Sequence, residues 1–185
     1  MNHRGTKTME TSRLRLRPFR MEDASAMYEN WAKDPEVTKF LTWPAYQSQQ
    51  SADEILGIWT KSYIRPDFYQ WAIELKELGQ PIGSISVVDY EESVESAEIG
   101  YCIGRKFWGQ GIMPEALHAV LKFLFEEVGL NRVEARHAAE NPNSGKVMVK
   151  CGMSYEGKLR QAGRSNNGIS DICCYSILKK EFNFG

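Results

Sequence analysis

The sequence predicts one α/β (α+β) domain in which a mixed, mostly antiparallel sheet of about seven strands is flanked by helices. Two observations indicate this class. Segments with alternating polar and apolar residues occur in pairs joined by turns, which is typical of hairpins. A long segment with helical spacing lies between two such segments, which indicates a strand–helix–strand crossover. The 185 residues, 42% of them hydrophobic, fit a single core across residues 1–185.

The first half of the chain is predicted to contain one strand, two helices and three strands. "RLRLRPF" alternates and ends at Pro18, and "MEDASAMYENWAKD" has helical spacing. A second helix is expected to begin at Ser51, because Ser51 and Glu54 form a capping-box pattern. "FYQWAIELKE" and "PIGSISVVDY" predict a hairpin, and "SAEIGYCIG" predicts the next strand. Residues 1–10 are expected to be a flexible extension.

The second half is predicted to contain a long helix, a strand, a short helix and two strands. "IMPEALHAVLKFLFEEVGL" has apolar residues at helical spacing and ends at Gly129. "NRVEARHAAE" indicates a strand and "NPNSGKVMVKCG" a short helix. The last two strands, "MSYEGKLRQAG" and "ISDICCYSIL", flank the turn "GRSNNG". The sequence contains no repeat and no linker, so a second domain is not expected.

Charge and cysteine content exclude several classes of function. The formal net charge is −1, which gives no general signal for nucleic acid or for a membrane surface. No apolar run approaches the roughly 18–20 residues that span a bilayer. The four cysteines show no CxxC pair and the three histidines are scattered, so no metal site is expected. We therefore expect a cytoplasmic protein with reduced thiols.

The stretch "KFWGQGIMPEA" points to an anion site. Gly109-Gln110-Gly111 lies where a strand ends and the long helix begins, and the first turn of a helix presents unpaired N–H groups to an anion. Glycines allow close approach and a positive φ. The P-loop motif GxxxxGK[ST], which binds nucleotide phosphates, is absent. Pro114 stands where the dinucleotide-binding motif GxGxxG would have its third glycine, so that motif is absent too. A tight glycine turn remains the alternative to a phosphate cradle.

Two longer segments carry a family resemblance. "AEIGYCIGRKFWGQGIMPEAL", followed by "NPNSGKVMVKCGMSYEG", resembles the GNAT N-acetyltransferase superfamily, and within it the ribosomal-protein-alanine N-acetyltransferase branch. The resemblance runs from "SRLRLRPF" to "DICCYSIL". The family loop reads Gln/Arg-x-x-Gly-x-Gly/Ala, so Lys106 departs from the pattern at its first position. The resemblance implies a GNAT fold and acetyl-CoA as the acyl donor, without a metal.

The resemblance also implies which residues hold the cofactor. Backbone N–H groups of the loop and of the first helical turn would bind the pyrophosphate. The end of the preceding strand would pair with the pantetheine arm, and Asn141 would contact that arm. Lys146 is a further candidate, for a phosphate of the nucleotide, with a solvated surface lysine as the alternative. The implied cofactor-binding residues are Ile103, Gly104, Gly109, Gln110, Gly111, Ile112, Met113, Asn141 and Lys146.

Acetyl transfer to an amine needs a base, an oxyanion donor and a proton for the leaving thiolate. The resemblance implies Glu98 as the base, acting directly or through water, with a strand glutamate in a surface ion pair as the alternative. It implies Ser144 as the acid, although many family members use a tyrosine, for which Tyr155 is the weaker candidate. The N–H near Ile103 is the expected oxyanion donor. A covalent route through Cys102 is rejected, because no histidine is near in sequence.

The acceptor is the least determined part of the prediction. The leading acceptor is a protein N-terminal amine, as in ribosomal proteins. The alternatives are a small-molecule amine or antibiotic, and a non-catalytic acyl-CoA-binding module. "FLTWPAYQ" is expected to form a wall of the acceptor pocket, and Asp171 is a further candidate there. The branch also implies a homodimer.

Overall fold

A computed structural model describes residues 1–184 as three layers, with a central sheet between two sets of helices. The strands are β1 Met9–Glu10, β2 Leu14–Arg17, β3 Gln70–Leu75, β4 Gln80–Glu91, β5 Ser96–Ile103, β6 Arg132–Ala138, β7 Ser154–Ser165 and β8 Gly168–Leu178. The α-helices are α1 Ala24–Met27, α2 Pro35–Thr38, α3 Gln49–Ser62, α4 Ile112–Phe123 and α5 Pro142–Lys150. The strand order is β1-β2-β3-β4-β5-β6-β8-β7.

The predicted fold class is confirmed. All neighbouring strands pair antiparallel except β5 and β6. The sheet has eight strands because the two-residue β1 adds to the expected set. The parallel strands β5 and β6 are joined by the crossover that contains α4, because two parallel neighbours cannot be joined by a short hairpin.

The helices differ from the prediction in detail. The first predicted helix is divided into a 3₁₀ turn, α1 and a π turn at Tyr28–Ala32. The expected start of α3 at Ser51 is wrong, since the helix begins at Gln49 after Ser48. Ser48 has the extended backbone of an N-cap residue, with φ −153° and ψ 164°. The Ser51–Glu54 pattern therefore lies inside the helix.

Residues 1–10, for which the sequence predicts a flexible extension, lie against the domain. The N–H of Asn2 donates to the carbonyl of Val128 at 2.8 Å, and Thr6 Oγ1 donates to the carbonyl of Phe68 at 2.9 Å. The side chain of Met1 packs against the hydrophobic core between the sheet and α4. The segment thus lies against the end of the helical segment that follows α4 and against the residues that lead into β3.

Two hydrophobic cores hold the layers together. The larger core packs α4 and α5 on one face of the sheet and includes Trp71 and Leu117, both fully buried. The smaller core packs α1, α2 and α3 on the opposite face around Trp31 and Leu56. Successive strand residues point to opposite faces, so Trp71 joins the first core and Ala72 the second.

The parallel pairing between β5 and β6 is short, and this positions the site. Only Ser96–Ile99 pairs with Arg132–Ala135, although β5 continues to Ile103 and β6 to Ala138. Beyond Ile99 the two strands separate, while β5 stays paired with β4 and β6 stays paired with β8. The sheet therefore has a gap at the carboxyl ends of its two central strands.

A buried ionic cluster fixes the first helical segment to the sheet. The guanidinium of Arg17 lies 2.7 and 2.9 Å from the two carboxylate oxygens of Asp23, and its Nε lies 2.6 Å from Glu74. All three side chains are less than a tenth exposed. Removing one partner of a buried ion pair leaves an uncompensated charge.

We predict that Asp23→Ala lowers the free energy of unfolding by about 3–5 kcal/mol, measured by urea denaturation. Asp67→Ala is the matched control, because Asp67 makes a similar two-point contact with Arg65 at the surface. Its loss is expected to be much smaller. Equal losses in the two variants would contradict a stabilising role specific to the buried cluster.

Candidate active site

A cleft of about 480 Å³ opens where β5 ends, between the start of α4, α5 and the segment around α2. Backbone groups and apolar side chains form most of its walls. Its lining residues are Val37, Phe40, Leu41, Tyr101, Cys102, Ile103, Phe107, Trp108, Gly109, Gly111, Ile112, Met113, Pro114, Asn141, Asn143, Ser144, Lys146, Val147 and Lys150.

The glycine loop has the conformation of an anion cradle. Gly109 and Gly111 have φ values of +74° and +72°, where side chains are strained. Gly111 is the N-cap residue of α4, so the first-turn N–H groups of Ile112 and Met113 have no intrahelical partner. Those N–H groups lie at the positive end of the helix dipole and suit a phosphate.

The loop is held in place by side chains outside it. Arg13 donates to the carbonyl of Gln110 at 3.0 Å and pairs with Glu115 of α4 at 2.7 Å. The Gln110 side chain donates to the carbonyl of Lys106 at 2.8 Å. Position 106 thus contributes its backbone to the loop, which is consistent with the departure from the family pattern there. Gln110 itself does not line the cleft, and its side chain points into the loop.

Backbone groups of β5 face the gap. The N–H of Gly104 donates to the carbonyl of Ile82. Hydrogen-bonded and non-bonded pairs alternate along an antiparallel ladder, so the N–H and C=O groups of Tyr101 and Ile103 point away from β4. The carbonyl of Ile103 accepts from the indole of Trp108 at 2.9 Å. The N–H groups of Tyr101 and Ile103 therefore remain available in the gap.

Gly104 has a packing role. A Cβ at this position would lie 2.3 Å from the carbonyl oxygen of Asn30. Gly104 does not line the cleft. It lets the π turn of the first helical segment approach the end of β5.

Ser144 and Tyr101 contact each other at the cleft wall. Ser144 Oγ donates to the Tyr101 hydroxyl at 3.2 Å, and that hydroxyl donates to the Ser144 carbonyl at 2.9 Å. Burial raises the pKa of Tyr101. Sequence reasoning missed Tyr101, because nothing local pairs it with a residue on α5. Tyr155, the weaker candidate for the acid, is 55% exposed and lies outside the cleft.

Glu98 lies beside the gap but outside the cleft. It is paired with Glu134 in the parallel ladder, one pair before the strands separate. Burial raises the pKa of Glu98, Arg136 lowers it, and Glu134 and Asp89 raise it. Among the described residues, no Asp, Glu or His lines the cleft. Glu98 is thus a carboxylate with a raised pKa at the edge of the gap, next to the last pair of the parallel ladder.

Cys102 lines the cleft as a neutral thiol. Its sulfur lies 3.5 Å from Ser84 Oγ. Burial raises the pKa of the Cys102 thiol, which disfavours the thiolate that a nucleophile needs. These features agree with rejection of a covalent route.

The two cationic side chains that line the cleft are on α5. Lys146 lies 3.2 Å from the Asn143 side-chain oxygen, and Lys150 follows one turn later. Residues four apart share a helix face. Sequence reasoning proposed Lys146 and missed Lys150, although the spacing of the two lysines was visible. Asn141 also lines the cleft and is the N-cap residue of α5.

The acceptor wall expected in "FLTWPAYQ" is only partly exposed to the cleft. Phe40 and Leu41 line it, whereas Trp43 and Tyr46 pack on the smaller core. Asp171 lies elsewhere, 3.2 Å from Lys158 on the β7–β8 hairpin.

The turn of the β7–β8 hairpin is tied to the acceptor wall by Asn166. The side chain of Asn166 donates to the carbonyls of Thr38 and Trp43 at 2.9 and 2.7 Å. Its backbone N–H donates to the carbonyl of Leu41 at 3.1 Å. We call these three hydrogen bonds the Asn166 clasp. It joins two distant segments at the rim of the cleft.

Two other kinds of feature are absent from the described part of the chain. Within residues 1–184, no three His, Cys, Asp or Glu side chains are grouped so that they could hold a metal ion. No helix in the described part of the chain combines the length and apolar composition needed to cross a membrane.

An anion cradle beside an open strand edge defines a site for an extended, phosphorylated cofactor. Comparison with known proteins identifies the family. Residues 13–154 match the family model of the acetyltransferase (GNAT) domain. An uncharacterized N-acetyltransferase p20 of Bacillus licheniformis is 30% identical over 176 residues, which cover 95% of this chain and 98% of that protein.

Two further comparisons agree with this assignment. A GNAT-family acetyltransferase structure from Bacillus anthracis superposes with a TM-score of 0.83 at 26% identity, covering 95% of this chain and 100% of that chain. The ribosomal-protein-serine acetyltransferase of Escherichia coli is 33% identical over 97 residues, 52% of this chain and 54% of that protein. The chain belongs to the GNAT family and is an acetyl-CoA-dependent N-acetyltransferase.

We predict that Gly111→Ala weakens acetyl-CoA binding at least about tenfold, measured by calorimetry. A side chain at this positive φ costs about 1–2 kcal/mol, and relief of that strain turns the loop N–H groups away from the phosphates. Gly129→Ala is the matched control. Gly129 has φ +82° at the opposite end of the same helical segment, so it carries similar strain far from the loop. If both variants bind acetyl-CoA alike, the cradle assignment is wrong.

Proposed function

We propose that this acetyltransferase transfers the acetyl group to the N-terminal α-amine of a protein, by direct attack of the amine on acetyl-CoA. The observation that carries the mechanism is the gap between β5 and β6. Glu98 and Cys102 are four residues apart and so lie on the face of the smaller core. Tyr101 and its partner Ser144 lie on the other face. A base and an acid therefore flank the gap from opposite sides.

The cofactor would be held by the backbone. The pyrophosphate would accept hydrogen bonds from the loop and from the first turn of α4, with Lys146 and Lys150 offering positive charge nearby. The pantetheine arm would run along the open edge of β5 towards Asn141. The thioester carbonyl would accept from the N–H of Tyr101 or Ile103, which stabilises the oxyanion.

Acetyl transfer removes two protons from the acceptor nitrogen and replaces the C–S bond by a C–N bond. Glu98 takes one proton from the acceptor ammonium through water, because it lies outside the cleft and about 10 Å along the strand from Tyr101. The nitrogen attacks the thioester carbon, the new C–N bond forms and the C–S bond breaks. The leaving thiolate takes a proton from Ser144, whose hydroxyl recovers one from the amide nitrogen through water. The products are the acetylated amine and CoA.

Two observations favour a protein N-terminus over a small, charged amine. The acceptor side of the cleft presents apolar groups, Val37, Phe40 and Leu41, and no carboxylate that could fix a polyamine. The relative from Escherichia coli is named for a ribosomal protein. Acetylation of a small-molecule amine or antibiotic is the competing function. A homodimer and a cytoplasmic location remain predictions.

The test is an acceptor panel with acetyl-CoA, in which release of CoA is followed with a thiol reagent. We expect turnover with peptides that begin with alanine or serine, and none with the same peptides after N-terminal blocking. Glu98→Gln should lower kcat/KM by about 10²–10⁴-fold and keep acetyl-CoA affinity. Asp89→Asn, opposite Glu98 on β4, is the matched control and should keep most activity.

Other outcomes of the panel have definite meanings. Turnover with aminoglycosides or polyamines alone would overturn the protein acceptor. Binding of acetyl-CoA without turnover on any peptide would refute a protein N-terminus as the acceptor. Full activity of Glu98→Gln would remove Glu98 as the base.

For the acid, we predict that Ser144→Ala lowers kcat about 10²-fold, the low end of general acid catalysis, since a thiolate is a stable leaving group. Tyr101→Phe should have the smaller effect, because it removes only the hydroxyl that contacts Ser144. Single-turnover kinetics with the preferred peptide measure both. A larger loss in Tyr101→Phe than in Ser144→Ala would assign the acid to the tyrosine.

A further inference from the structure

Arg136 lies between two carboxylates at the edge of the gap. Its Nε is 3.4 Å from Glu98 Oε2, and its Nη2 is 2.9 Å from Glu134 Oε1. Glu98 and Glu134 are each 24% exposed, whereas Arg136 is 46% exposed. The guanidinium therefore reaches from the solvent side to both partly buried carboxylates.

The register of the strands accounts for this position. Glu98 is paired with Glu134 in the parallel ladder, and Ile99 with Ala135 is the last pair. Arg136 follows that pair on β6 and, two residues after Glu134, lies on the same face of the sheet. It is therefore the first residue of β6 beyond the pairing that points to the side of Glu98.

The groups that face Glu98 come from three neighbouring strands. Glu134 and Arg136 come from β6, Asp89 from β4 and the Cys174 thiol from β8. Asp89 and Glu134 are like charges, and Cys174 is opposite Arg136 in the ladder. Within residues 1–184, Arg136 is the one cation that forms an ion pair with Glu98.

We propose that Arg136 is a positioning residue for acetyl transfer, which holds the Glu98 carboxylate at the edge of the gap in its ionised form. This inference rests on the proposed function of Glu98 as base. Arg136 makes no bond to the substrate and moves no proton. It acts through Glu98 by fixing the direction of the carboxylate and by offsetting the like charges beside it.

The direction of the expected pH effect follows from the charges. Glu98 accepts a proton only when ionised, so kcat/KM falls as the pH falls through the pKa of Glu98. Arg136 lowers that pKa, while burial and the neighbouring carboxylates raise it. Removal of the positive charge raises the pKa further. The acidic limb of the profile of kcat/KM against pH must then move to higher pH.

The experiment compares pH profiles of kcat/KM for the full chain, with the peptide acceptor that gives the highest wild-type rate. We expect Arg136→Gln to move the acidic limb to higher pH and Arg136→Lys to leave it near the wild-type position. Arg132→Gln is the matched control. Arg132 also pairs with Glu134, at 2.9 Å, and with Glu156, but it has no contact with Glu98. The acidic limb of the pH profile of Arg132→Gln should coincide with that of the wild type.

A double variant separates this inference from the function on which it rests. In the Glu98→Gln background the acidic limb should be absent, and adding Arg136→Gln should change nothing further. If Glu98→Gln keeps the limb, the assignment of the base is wrong. If Glu98→Gln loses the limb but Arg136→Gln does not move it, the base stands and the role of Arg136 is refuted. Equal shifts in Arg136→Gln and Arg132→Gln would also refute it, since a general loss of surface charge would then explain both.

Discussion

The unpaired backbone edge between β5 and β6 is the constraint on which the rest of the site depends. A sheet normally satisfies its N–H and C=O groups by pairing, yet here the two central strands separate after Ile99. The separation leaves polar backbone exposed on both sides of a gap. An extended amide-containing cofactor arm can satisfy those groups in the way a further strand does. In the proposed function, the pantetheine arm would therefore complete the sheet between β5 and β6.

Two N-terminal segments support the anion cradle and the end of β5. Arg13, just before β2, contacts both Gln110 and Glu115 at the start of α4. At the opposite side, Asn30 packs on Gly104 and donates to the carbonyl of Pro81. Arg13 thus fixes the cradle and Asn30 supports the end of β5, and neither residue lines the cleft. Such support keeps the N–H groups aimed before the cofactor arrives.

The sequence predicted local features well and long-range contacts poorly. Gly109 and Gly111 were recognisable, because a positive φ and a helix start are properties of a few adjacent residues. The Tyr101–Ser144 contact joins residues 43 positions apart, and the Arg136–Glu98 pair depends on which strands are neighbours. No local pattern encodes either contact. The sequence also could not predict that Glu98 lies outside the cleft, since this depends on where the parallel pairing of β5 and β6 stops.

The Asn166 clasp has a consequence for how this enzyme can change over evolutionary time. It fastens a hairpin turn to the end of α2 and to the loop that follows it by three hydrogen bonds, two of them from a single side chain. Connecting segments vary in sequence more than the elements they connect. The cofactor cradle lies on other elements and is supported from elsewhere. Under the proposed assignment of the acceptor wall, changes in these two short segments would alter the acceptor preference, while the elements proposed to hold the cofactor stay intact.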